Sequence, residues 1–114
     1  MMRLACALGL LAMSSPAFAM NDFPTNARVE YVVSCMKDYR GNGQEALYKC
    51  SCAIDAIAEH MSYDEWVDVA TVANAMTIAG ERGGVVRDMK DGRKIAASYR
   101  TVQEEARKRC FFPQ

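Results

Sequence analysis

Residues 48–55 read YKCSCAID, two cysteines one residue apart in a segment whose apolar side chains recur at helical spacing. Side chains at i and i+2 project about 200° apart around an α-helix, so Cys50 and Cys52 cannot readily bond to each other. Each must reach a different neighbour. The helix that carries them is therefore held on two sides, and the identity of those two neighbours decides the fold.

Three other cysteines are present: Cys6, Cys35 and Cys110. Cys6 sits in an opening segment, MMRLACALGLLAMSSPAFA, that combines Arg3, an apolar run over residues 4–13, a Ser-Ser-Pro break and small residues Ala17 and Ala19 around Phe18. That pattern predicts an export signal over residues 1–19, leaving 95 of the 114 residues and four cysteines in the mature chain. The apolar run is too short to cross a bilayer, and no later segment approaches roughly 20 continuous apolar residues. Cys6 lies near the start of the run, not after it, which argues against a lipid anchor. A soluble, exported protein is expected, located in a bacterial periplasm. A small exported domain with an even number of cysteines predicts two disulfides, which make up for a small core.

With Cys50–Cys52 set aside, two connectivities remain: Cys35–Cys50 with Cys52–Cys110, or Cys35–Cys52 with Cys50–Cys110. Cys35 lies seven residues before Asn42 and Cys50 eight after it, which places them at similar heights in an antiparallel helical hairpin. The first pairing is preferred.

Working outward, apolar periodicity predicts four helices in one all-α domain over residues 20–114, a disulfide-braced four-helix bundle. The first runs over residues 25–39 with Val29, Val32, Val33 and Met36 as its inward stripe, ended by Gly41-Asn42-Gly43 in left-handed conformation. The second runs over residues 44–61, burying Leu47, Cys50, Ile54, Ile57 and Met61. The third opens on a capping box between Ser62 and Glu65 and continues through Trp66, Val69, Ala70, Ala73 and Met76. The fourth spans residues 93–109, with Ile95, Tyr99, Val102 and Ala106 inward and a basic Arg107-Lys108-Arg109 end that suits the helix dipole.

Formal charge is zero overall, yet residues 20–81 carry four Lys/Arg against ten Asp/Glu, a net of −6, and residues 82–114 carry nine against four, a net of +5. Such a division either lets the two ends attract each other across the fold or orients the molecule on a charged partner.

Two surface candidates follow. Asp55, Glu59, Asp64 and Asp68 flank the turn between helices two and three, where a hard cation such as calcium or a lanthanide would need six or more oxygen ligands. The plainer reading is a solvated acidic face, because the spacing is not that of an EF-hand and acids in a first helical turn are favoured by the dipole. The Gly80–Gly84 segment GERGG, with Glu81, Arg82, Gly83, Gly84 and Arg87, terminates helix three and would also form a compact cationic loop able to meet a partner's carboxylate or phosphate. Thiolate metal binding by Cys-x-Cys is disfavoured because the methionines are scattered, and a redox role because no Cys-x-x-Cys occurs at a helix start. His60, the only histidine, has no nucleophile placed beside it. With no phosphate loop, nucleophile elbow or catalytic metal motif, and nothing pointing to nucleic acid, a non-enzymatic protein is expected.

Residues 31–35 (YVVSC), 48–66 (YKCSCAIDAIAEHMSYDEW), GERGG and 99–111 (YRTVQEEARKRCF) together resemble small exported four-cysteine proteins of methylotrophic and related bacteria. Members of that family accompany pyrroloquinoline-quinone-dependent methanol or alcohol dehydrogenases and their c-type cytochromes. The resemblance covers most of the mature chain. It implies a periplasmic accessory protein in methanol utilization, with a quinoprotein dehydrogenase or c-type cytochrome as partner. Some proteins in that setting bind calcium or lanthanides for the dehydrogenase, which implies metal delivery as a second role. The chain lacks Cys-x-x-Cys-His and is not itself a cytochrome. A metal-binding protein in its own right and an acid-stress chaperone, whose acidic half loses charge below about pH 4, are the rival expectations.

Overall fold

The computed structural model describes residues 22–78, 80, 84–85 and 87–114. The leader expected over residues 1–19 lies outside them. Among the described residues four helices follow one another, α1 (Thr25–Asp38), α2 (Gly43–His60), α3 (Tyr63–Ala75) and α4 (Gly92–Arg109), and there is no strand. They are the four helices that apolar periodicity predicts. The two disulfides take the preferred pairing: Cys35–Cys50, with Cα atoms 5.9 Å apart, and Cys52–Cys110, 5.8 Å apart.

Helix α2 is the hub. Its Ile54, Ile57 and Cys50 are the largest fully buried side chains, and Ala46, Ala53 and Ala56 around them are buried too. Alanine at these positions lets neighbouring helices approach closely, so α2 packs against α1 on one side and α4 on the other. Each disulfide leaves α2 toward a different neighbour, as the i, i+2 spacing requires. Their ring sizes, 15 and 58 residues in sequence separation, correspond to roughly 3 and 4 kcal/mol of restricted unfolded-chain entropy.

The Gly41-Asn42-Gly43 segment does something other than expected. Helix α1 stops with Tyr39 in an extended conformation, not a left-handed one, and Asn42 instead starts α2 by accepting the Glu45 N–H at 2.8 Å. Asparagine is a strong N-cap because its short carbonyl reaches an orphan amide of the first turn. The capping box on α3 is present: Glu65 N–H donates to Ser62 Oγ at 3.3 Å and Ser62 N–H donates to the Glu65 carboxylate at 2.8 Å. A second acid completes that end, since the Asp22 carboxylate accepts the Tyr63 N–H at 3.0 Å. Phe23 follows it inward, 6% exposed, edge-on to Tyr63 and tilted against Trp66 with ring centroids 5.5 and 5.4 Å away. The short segment before α1 thereby becomes part of the core.

Trp66 ties α3 to α4 by donating its indole N–H to the Tyr99 hydroxyl at 3.0 Å. Helix α4 ends in a Schellman motif: Phe111 N–H donates to Lys108 C=O at 3.2 Å and Phe112 N–H to Arg107 C=O at 3.0 Å. The left-handed position of such a motif usually holds glycine, but here it holds Phe111 at φ 59°, with its ring 81% exposed. A side chain in this region costs about 1 kcal/mol, and an exposed ring recovers little by burial. Replacing Phe111 with glycine should raise stability in urea by about 1 kcal/mol without altering helix content; an unchanged or lower midpoint would show that the ring makes up for its backbone.

Candidate functional site

Helix α1 carries apolar residues on two flanks, and only one of them can face the core. The expected inward stripe of Val29, Val32, Val33 and Met36 is half right: Val32 packs on the core and Met36 is half-buried, but Val29 is 54% and Val33 51% exposed, while Ala27 is buried and Tyr31 packs on the core. The rotation of α1 is set by two contacts. Cys35 must face Cys50, and Arg28, lying 5.6 Å over the Phe23 ring, pairs with Asp55 of α2. Leu47, also expected inside, is 46% exposed on the facing edge of α2.

These side chains line a groove of about 330 Å³ along the α1–α2 seam. Val32 and the fully buried Ile54 form its floor, Val29, Val33, Met36 and Leu47 its walls, and the Arg28–Asp55 pair closes one end. Its lining is almost wholly apolar. Contiguous exposed apolar surface of this kind, rimmed by charge, is the ordinary mark of a protein contact and is poor at holding ions or polar substrates.

The acidic turn does not assemble as a metal site. Among the described residues no three His, Cys, Asp or Glu side chains gather as a bound ion requires. Asp55 turns to Arg28, and Glu59 forms a two-pronged pair with Arg109 from α4. Asp64 and Asp68 stay exposed on the first turns of α3. The reason is that residues four apart lie on one face of a helix, which aligns Asp55 with Glu59 along α2, where cations on two different helices reach them first. His60 lies exposed at the end of α2. Of the cationic loop, Glu81, Arg82 and Gly83 lie outside the described residues; Arg87 donates to the carbonyls of Ile78 at 2.8 Å and Gly80 at 3.1 Å, so it closes the turn after α3.

Three surface carboxyls are held below their ordinary value of 4.5: Glu45 by hydrogen bonds from Lys49 and then Tyr39, Glu59 by Arg109, and Glu65 by the Ser62 amide and hydroxyl. No described helix is long and apolar enough to cross a membrane. The two disulfides fit an oxidising compartment. Comparison with protein-family models, curated proteins and solved structures returns no match to this chain.

Two outcomes follow. Calorimetric titration of the oxidised protein with calcium and then a trivalent lanthanide should give no saturable heat, because no cluster of oxygen ligands is gathered among the described residues; tight binding would reinstate the acidic turn. The depressed carboxyls stabilise the fold above the unfolded value of 4.5 and lose that contribution as pH falls through their lower folded values. The thermal midpoint should therefore hold at neutral pH and drop below about pH 4, and Glu59→Gln should flatten part of that drop.

Proposed function

We propose that the protein is a non-enzymatic periplasmic accessory protein that receives an amphipathic helix of a partner in the α1–α2 groove, in the setting of quinoprotein alcohol oxidation. The observation that carries this reading is the groove itself: three large aliphatic side chains about half exposed, side by side, on a helix hairpin locked by Cys35–Cys50. A rigid, preformed apolar channel between two helices suits a third helix presenting residues at i, i+3 or i+4, and i+7. The partner class, a quinoprotein dehydrogenase or its c-type cytochrome, comes from the resemblance of the YVVSC and YKCSC segments described above, and two disulfides suit a periplasmic location.

Metal delivery is not part of the reading, since Asp55 and Glu59 are engaged by arginines. The test is capture by the immobilised protein of a purified quinoprotein alcohol dehydrogenase and, separately, its c-type cytochrome. One of the two should bind, and Val33→Asp combined with Leu47→Glu should weaken capture at least about tenfold. Asp64→Asn with Asp68→Asn, away from the groove, should leave it unchanged. Failure to capture either protein would remove the setting, and capture insensitive to the groove substitutions would remove the groove.

A further inference from the structure

The other flank of α1 borders a separate, half-open cleft of about 440 Å³ between α1, α3 and α4. Its residues repeat every four positions on each helix: Glu30, Ser34 and Asp38 on α1; Trp66, Ala70 and Asn74 on α3; Tyr99, Gln103 and Arg107 on α4. At one end α1 and α3 meet, where the Tyr31 ring stands edge-on to Trp66 with centroids 6.4 Å apart. Beyond it they stay apart, because Ser34 and Ala70 are too short to bridge the seam. Larger residues there would have closed the bundle.

The lining is chemically mixed in an ordered way. Tyr31, Trp66 and Tyr99 supply an aromatic surface, and the Trp66–Tyr99 hydrogen bond fixes two of the three rings. Helix α4 supplies the Arg107 guanidinium, which enters no ion pair among the described residues although Asp38 of α1 lines the same cleft. Its orientation is set by stacking on Phe112, 5.5 Å from the ring centroid, beside the Schellman turn. Helix α1 supplies the exposed carboxylates Glu30 and Asp38 along the opposite wall. A cation on one wall, anions on the facing wall and an aromatic floor match a ligand with both charges and a flat apolar body. The volume falls within the range of small-ligand sites.

We propose that this cleft binds a zwitterion of the aromatic amino acid class, its carboxylate on Arg107, its ammonium on Asp38 of the facing wall and its ring against Tyr31, Trp66 and Tyr99. Burial, with Tyr99 nearby, pushes the Tyr31 hydroxyl up to about 12, so it stays a neutral hydrogen-bonding group at every physiological pH. Gln103 adds a neutral amide that tolerates either end of the ligand. The site lies on a different flank of α1 from the apolar groove, so binding in one does not require the other.

Trp66 is the only tryptophan in the chain, which makes the cleft its own reporter. Titrating the oxidised protein with L-phenylalanine, which does not interfere with indole emission, should give a saturable change in Trp66 fluorescence. Arg107→Gln should weaken binding roughly tenfold, as should Asp38→Asn, since each removes a charge-assisted contact. Phenethylamine and 3-phenylpropionate, each lacking one charge, should also bind about tenfold more weakly. Ala70→Leu should fill the seam and abolish the response while helix content is kept. No saturable response up to millimolar phenylalanine would overturn the proposal. So would unchanged affinity in Arg107→Gln, a surface variant that does not threaten the fold, or equal binding of either singly charged analogue.

Discussion

Two covalent bonds that leave one helix in nearly opposite directions set the architecture. Cys50 takes α2 to α1 and Cys52 takes it to the residue that follows α4, and every other contact is arranged around that axis. The dependence is greatest for α1, in which Ala27 is the one buried residue and Tyr31 and Val32 reach the core only in part. So little burial would not hold a 14-residue helix in place in a chain of this size. The bond at Cys35, the Arg28–Asp55 pair and the aromatic seat of Phe23 do it instead.

Holding a helix by its ends and one bond, not by a broad apolar face, leaves its sides available. This explains why the groove and the cleft both border α1. On one flank the walls are Val29, Val33 and Leu47, and on the other the small residues Ser34 and Ala70 keep α3 at a distance. Small side chains act in two senses here. In α2, Ala53 and Ala56 bring neighbours close because a partner helix lies opposite, whereas across the α1–α3 seam the same economy of volume leaves space unfilled. Which of these happens depends on where the disulfides place the backbone.

Much of this was readable in the residues. Helical periodicity gave the four helices, the i, i+2 cysteines restricted the pairing to two choices, and heights about the Asn42 turn pointed to the one observed. The Ser62–Glu65 box followed from three-residue spacing alone. What periodicity could not resolve was which of two apolar flanks on α1 faces inward, because Ala27 with Tyr31 and Val29 with Val33 satisfy a 3.6-residue repeat equally well. The clue was present in that very duplication. The acidic turn misled for a related reason: spacing aligns Asp55 and Glu59 along a helix, but the arginines that meet them come from residues 28 and 109, far away in sequence. Phe111 in a left-handed conformation and Asp22 on the α3 amide depend on close approach in space and left no mark in the local pattern.

The placement of the long disulfide also dictates an order of events. A chain appearing from its N-terminus presents Cys35, Cys50 and Cys52 well before Cys110, so Cys52 waits for its partner through much of the chain's emergence. One of them is then without its final companion. The short ring can close on its own, within a hairpin of adjacent helices, whereas the bundle as a whole stays open until the last five residues arrive. A truncated or prematurely stopped chain therefore carries an unmated thiol on its most central helix, a chemical flag that distinguishes an unfinished molecule from a complete one.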